Sequence, residues 1–100
     1  MEKRLPHYPL AVLQARIAEQ GSMAFTATAL FNAAAMGLSE EQVLQVMASL
    51  TRAMFFKSMT THADSTVWQD VYHSRTLNDK VAYIKLTLQQ GAMVIQFKEK

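Results

Sequence analysis

The feature that most restricts what this chain can become is a change of hydrophobic period near residue 53. Ahead of that point apolar residues recur every three to four positions; beyond it they recur at every second one, interleaved with aromatic and β-branched residues. A helix returns to the same face after 3.6 residues and a strand after two, so the two halves cannot be built alike. Helices followed by strands predict an α+β fold, with three N-terminal helices packed on a C-terminal antiparallel β-sheet.

Local signals divide the first half. After Pro9, suited to a first helical turn, Leu10, Leu13 and Ile17 keep helical spacing until Gly21 stops them. Thr26 is placed to cap the alanine-rich segment that carries Leu30 and Phe31, and Gly37 sits where a helix-ending glycine belongs. Ser39 and Gln42 form a capping box ahead of Val43, Val46, Met47 and Leu50. In the second half, strands are predicted at roughly 54–61, 66–73, 81–88 and 93–98, joined over 62–65, 74–80 and 89–92. Connections this short favour antiparallel neighbours. With 100 residues, half of them hydrophobic and 18% charged, the chain is expected to fold as one domain over residues 1–100.

Several classes of chemistry are excluded by what is missing. Without cysteine there is no disulfide framework, thiolate nucleophile or cysteine zinc site. His7, His62 and His73 lack metal-ligand spacing, and no phosphate-cradling glycine loop, GxSxG element or paired-carboxylate site is present. No cofactor and no metal are expected. No apolar run reaches the roughly 18 residues of a membrane span, and the opening MEKRLPHYPL lacks the apolar segment of a signal peptide, so a cytoplasmic protein away from membranes is expected.

Charge and alternation single out one surface. Residues 1–50 hold three cations against four carboxylates, and residues 51–100 hold seven against four, so an anion belongs with the second half. Strict alternation separates Ala82, Ile84, Leu86 and Leu88 from Tyr83, Lys85 and Thr87. In the last strand it separates Met93, Ile95 and Phe97 from Val94, Gln96 and Lys98. The first strand divides into Phe55, Lys57, Met59 and Thr61 against Phe56, Ser58 and Thr60; the second divides into Val67, Gln69, Val71 and His73 against Trp68, Asp70 and Tyr72. If Lys57 and Gln69 share the side of Tyr83 and Lys98, that side offers two ammonium groups, an amide and a phenol, the groups a phosphate site uses. A merely solvated sheet face is the ordinary alternative, and Trp68 is expected as a core anchor and not as a base-stacking surface.

The segments KSMTT at 57–61, WQDVY at 68–72, YIKLT at 83–87 and the terminal FKEK, together with the opening MEKRLPH, closely resemble the MqsR family of bacterial toxins. The resemblance spans the chain. It implies a RelE-like fold, an endoribonuclease (mRNA interferase) that cleaves messenger RNA to arrest growth, and a type II antitoxin partner similar to MqsA; no direct DNA binding is expected without that partner. Carried over by position, it implies catalytic roles for Lys57, Gln69, Tyr83 and Lys98. The family's arginine and proline after WQDVY are here His73 and Ser74 ahead of Arg75, and a neutral imidazole holds a phosphate less well than a guanidinium.

The residue types suit metal-free RNA cleavage. Lys57 and Lys98 would stabilise the phosphorane, with Lys57 a candidate base as well. Tyr83 would donate to the leaving oxygen or hold the phosphate in line, and Gln69 would orient a phosphate oxygen or the 2′-hydroxyl. Arg75, Lys85 and His73 would position the RNA backbone. The alternative is a non-catalytic RNA- or protein-binding module using the same basic sheet face.

Overall fold

The computed structural model describes residues 1–88 and 91–100. It is an α+β arrangement in which a five-stranded sheet of order β1-β2-β3-β4-β5, antiparallel throughout, carries three helices on one side. The elements run β1 (Glu2–Lys3), α1 (Leu10–Gln20), α2 (Ala27–Ala35), α3 (Glu40–Ser49), β2 (Phe55–Thr60), β3 (Trp68–Arg75), β4 (Val81–Leu86) and β5 (Val94–Glu99). Short 3₁₀ turns at Gly21–Ala24 and Arg52–Met54 were not anticipated from the sequence. The expected connection over 89–92 lies in part outside the described residues.

The helix signals act where they were read. Thr26 Oγ1 accepts from the Ala29 amide at 3.1 Å, so a side chain satisfies one of the free amides of the first turn of α2. At α3 the capping box closes from both sides, the Gln42 amide donating to Ser39 Oγ at 3.1 Å and the Ser39 amide to Gln42 Oε1 at 2.9 Å. Gly37, with φ of +84°, takes the left-handed conformation that ends α2.

All three helices press their apolar stripes on one side of the sheet: Leu13 and Ile17 from α1, Ala29 and Ala33 from α2, and Val43, Val46 and Met47 from α3. They meet Tyr72, Ile84, Leu86, Val94 and Phe97, each fully buried. Full burial of side chains this size contributes roughly 1.5–3 kcal/mol each. Trp68 lies outside this cluster, contrary to its expected role as a core anchor. Its ring is covered by the N-terminal arm instead, with His7 stacked on it at 5.3 Å and Lys3 Nζ 4.2 Å from its centroid.

Three further sequence expectations need correction. Strands are not confined to the second half, because β1 pairs with β2 and sets Glu2 opposite Met59. A two-residue strand is too short to show a period. The pairing of β2 with β3 shifts between Phe55 and Lys57, so Phe55 faces the helices opposite Tyr72 while Lys57 lies opposite Val71 on the open side. Strict alternation had put those two together. A second shift at Lys85/Leu86 sets Leu86 opposite Val94 and Lys85 opposite Gln96, which sends Val94 into the core with Phe97.

β1 and β5 form the two edges of the sheet. The amides of Thr26 and Met93 bond the carbonyls of Val94 and Ala24 at 3.0 and 2.8 Å, so the segment before α2 covers the start of β5. At the other edge, β1 is tied down by the Met1 ammonium on Thr60 Oγ1 at 3.0 Å. The side of the sheet away from the helices stays open. Among the described residues no helix is long and apolar enough to cross a membrane.

Candidate active site

Cross-strand register builds the open face in rows. One row runs Lys57, Val71, Lys85, Gln96 across β2 to β5, and the next runs His73, Tyr83, Lys98 across β3 to β5. Gln69 lies opposite Met59 in a third row, beyond the first. Lys57 and Lys85 are therefore two strand spacings apart at the backbone, roughly 10 Å. Every candidate named from the sequence is on this face, but they do not converge equally. Tyr83 stands between His73 and Lys98 and beside Lys85, with Lys98 Nζ 5.4 Å and Lys85 Nζ 5.9 Å from its ring centroid. Gln69 is two rows from Tyr83, roughly 13 Å along the strands. It is set to touch a neighbouring part of an extended ligand and not the group held by Tyr83 and Lys98.

Arg75 ends the face at the far corner of β3, where Asp79 holds it at 2.7 Å; both side chains are well exposed. A surface pair of this kind contributes little and leaves the guanidinium free to exchange partners.

The cations crowd one another. Burial pushes the Lys85 ammonium below its ordinary range, and the charges of Lys98 and Lys57 push it the same way. His73 is also lowered, first by burial and then by Lys100, so at neutral pH it is an uncharged ring. Its Nε2 is enclosed without a partner among the described residues. A face with several ammonium groups and few carboxylates attracts anions, phosphate among them.

Two participants were missed from the sequence. Glu2 on β1 places Oε2 2.9 Å from Lys57 Nζ, and the hydrogen bond and charge of Lys57 hold that carboxyl below its usual range. The Lys57 side chain retains 19% of its exposure under this contact. The only available signal was the acidic residue beside the basic run at the start of the chain. Phe56 is the second. The shift in β2 turns it to the open side, where its ring stacks on His73 at 4.5 Å. Alternation had assigned it to the opposite side from Lys57.

A further buried carboxylate positions this edge. Asp70, on the helix side of β3, accepts from the amides of His7 and Tyr8 at 3.0 and 2.9 Å and from Ser58 Oγ at 2.6 Å. It fastens the segment after β1 to the sheet, and so fixes where Glu2 meets Lys57. Among the described residues no group of three His, Cys, Asp or Glu side chains is arranged to hold a metal ion.

Comparison with known proteins adds the following. The family described as motility quorum-sensing regulator, toxin of MqsA, matches residues 5–99. Along its whole length the chain is 39% identical to the mRNA interferase toxin MqsR of Escherichia coli strain K12, with 100% of both chains covered.

Proposed function

The chain belongs to the MqsR toxin family, and from that premise we propose that it is a growth-arresting endoribonuclease that cuts messenger RNA on the open face of its sheet without using a metal ion. The observation that carries the assignment to this face is the register, which sets Lys57 and Lys85 in one row and Tyr83 and Lys98 in the next, away from the helices. The family description, toxin of MqsA, supports an antitoxin partner similar to MqsA. The remaining parts of the reading are a RelE-like arrangement, one functional domain over residues 1–100, a cytoplasmic location, and no DNA contact by the toxin alone.

In the reaction, the 2′-oxygen of one ribose attacks its own 3′-phosphorus, the bond to the 5′-oxygen of the next nucleotide breaks, and the products are a 2′,3′-cyclic phosphate and a 5′-hydroxyl. Lys98 beside Tyr83, and Lys57 reaching in from three strand spacings away, roughly 14 Å at the backbone, once RNA replaces Glu2, neutralise the charge that builds on the phosphorane oxygens, a contribution of roughly 10²–10³ in rate for each well-placed donor. Tyr83 gives its phenolic proton to the leaving oxygen; a positioned general acid is worth about 10²–10⁴. Lys57 is also the candidate base for the 2′-hydroxyl proton, and Lys85 helps position the RNA backbone. Gln69, two rows off, orients the neighbouring nucleotide, and Arg75 and His73 guide the strand past the site.

The test is cleavage of a short labelled RNA by purified variants. Lys57→Ala and Tyr83→Phe are expected to lose at least about a hundredfold in kcat, and Gln69→Ala about tenfold in kcat/KM, one hydrogen bond's worth. Circular dichroism should match wild type throughout. Undiminished cleavage by well-folded Lys57→Ala and Tyr83→Phe would remove the site from this face; tight RNA binding without a cyclic-phosphate product would make the face a binding surface only.

A further inference from the structure

Phe56 is a large apolar ring left 41% exposed on a face otherwise lined by cations. The shift in β2 that turns it outward also turns Lys57 outward, so the two adjoin on one strand. One side of the ring rests on His73, with centroids 4.5 Å apart and planes 24° from parallel, and His73 leans in turn on Tyr83 at 5.7 Å. Two cations lie over it: Lys57 Nζ is 5.4 Å from the ring centroid and the Arg4 guanidinium 5.6 Å, the latter also donating to the Phe56 carbonyl at 3.5 Å. An aromatic surface, backed by a second ring and bordered by phosphate-binding groups, is the arrangement with which proteins hold one unpaired nucleotide: the base stacks and the phosphates reach the cations.

We propose that Phe56, supported by His73, is the platform on which the base next to the scissile phosphate stacks. The proposal rests on the RNA-cleaving reading and adds to it the part that holds the substrate's base. Because every base has a π-face, the platform tolerates sequence and requires an unpaired strand. His73 serves as a neutral ring under the stack, which suits its uncharged state and its enclosed Nε2. A protein partner could also cover an exposed phenylalanine, but the cations around the ring favour a polyanion.

The experiment uses a short single-stranded RNA with one cleavage position and a series of the same RNA carrying one abasic ribose at each neighbouring nucleotide. On intact RNA, Phe56→Leu should lose about 10- to 100-fold in kcat/KM, the ordinary worth of one stacked base, while Phe56→Tyr and Phe56→Trp stay within a few-fold of wild type. On the oligomer that is abasic at the stacked position, wild type falls to the level of Phe56→Leu and the difference vanishes. Equal cleavage of intact RNA by wild type and Phe56→Leu overturns the platform, as does the same loss on every abasic oligomer. Full cleavage by Phe56→Leu with weakened antitoxin capture would make the ring a protein contact and also overturns it. Wild-type cleavage of intact RNA is the control for the underlying activity, so its absence would reject the RNA-cleaving reading itself and is told apart from these outcomes.

Discussion

At Lys57 one ammonium has two claimants: the Glu2 carboxylate at 2.9 Å and, in the proposed reaction, an RNA phosphate. Substrate must take the place of a carboxylate already there. Glu2→Gln is therefore expected to lower KM, with the slope of log affinity on log salt steeper by about 0.7 for the one extra ammonium released to single-stranded RNA; steady-state kinetics at several salt concentrations would show it, and a large fall in kcat would mean that the carboxylate takes part in the chemistry. His73 gives a second prediction. Its folded pKa lies below the ordinary value of 6.5, so as pH falls through that value the unfolded chain takes up a proton that the folded one resists, and stability declines. Thermal melts between pH 8 and pH 5 should show Tm falling on the acid side, less so for His73→Phe, which keeps the stack and has no proton to gain; parallel profiles would contradict the assignment. At this scale the sequence was informative wherever alternation was regular. Gln69, Val71, His73, Tyr83 and Lys85 face as expected, and Phe56 does not, because a one-residue shift in strand pairing leaves no mark in the hydrophobic pattern.

The elements divide in the same way between local signals and long-range ones. Helices α1 to α3 were legible because caps and glycine stops act within four residues of the backbone they serve. Strand β1 was not, since its place depends on Asp70, more than sixty residues away, accepting from the amides of His7 and Tyr8. That carboxylate is fully buried and bonded to three donors, so its loss strands two backbone amides and leaves the Ser58 hydroxyl only the Gln69 carbonyl at 3.3 Å. Asp70→Ala should cost about 3 kcal/mol, which for a chain of this size lowers Tm by roughly 12–24 °C. Hydrogen exchange should quicken most at residues 2–8, since the arm loses its anchor while the helices keep theirs. Uniform exchange across the sheet would show instead that Asp70 supports the sheet as a whole.

For the whole molecule, helices bury one side of the sheet, and four cations of the second half, Lys57, Arg75, Lys85 and Lys98, lie on the other. Fold class was readable because period and element order determine it, whereas the two shifts in register and the N-terminal strand needed the assembled sheet. Burial first, and then the charges of Lys98 and Lys57, hold Lys85 below its ordinary range, and a bound polyanion relieves the repulsive part. A non-cleavable RNA analogue should raise Tm and a neutral oligomer should not; Lys85→Gln should raise Tm in the absence of RNA and lose part of that response. The most direct measurement is the chemistry of the cut ends. A 5′-labelled RNA treated with purified protein in EDTA is expected to yield a fragment ending in 2′,3′-cyclic phosphate, at the same rate as with magnesium and at least about a hundredfold slower with Lys57→Ala. Activity that disappears in EDTA and returns with magnesium, or product ends carrying a 3′-hydroxyl, would contradict the account.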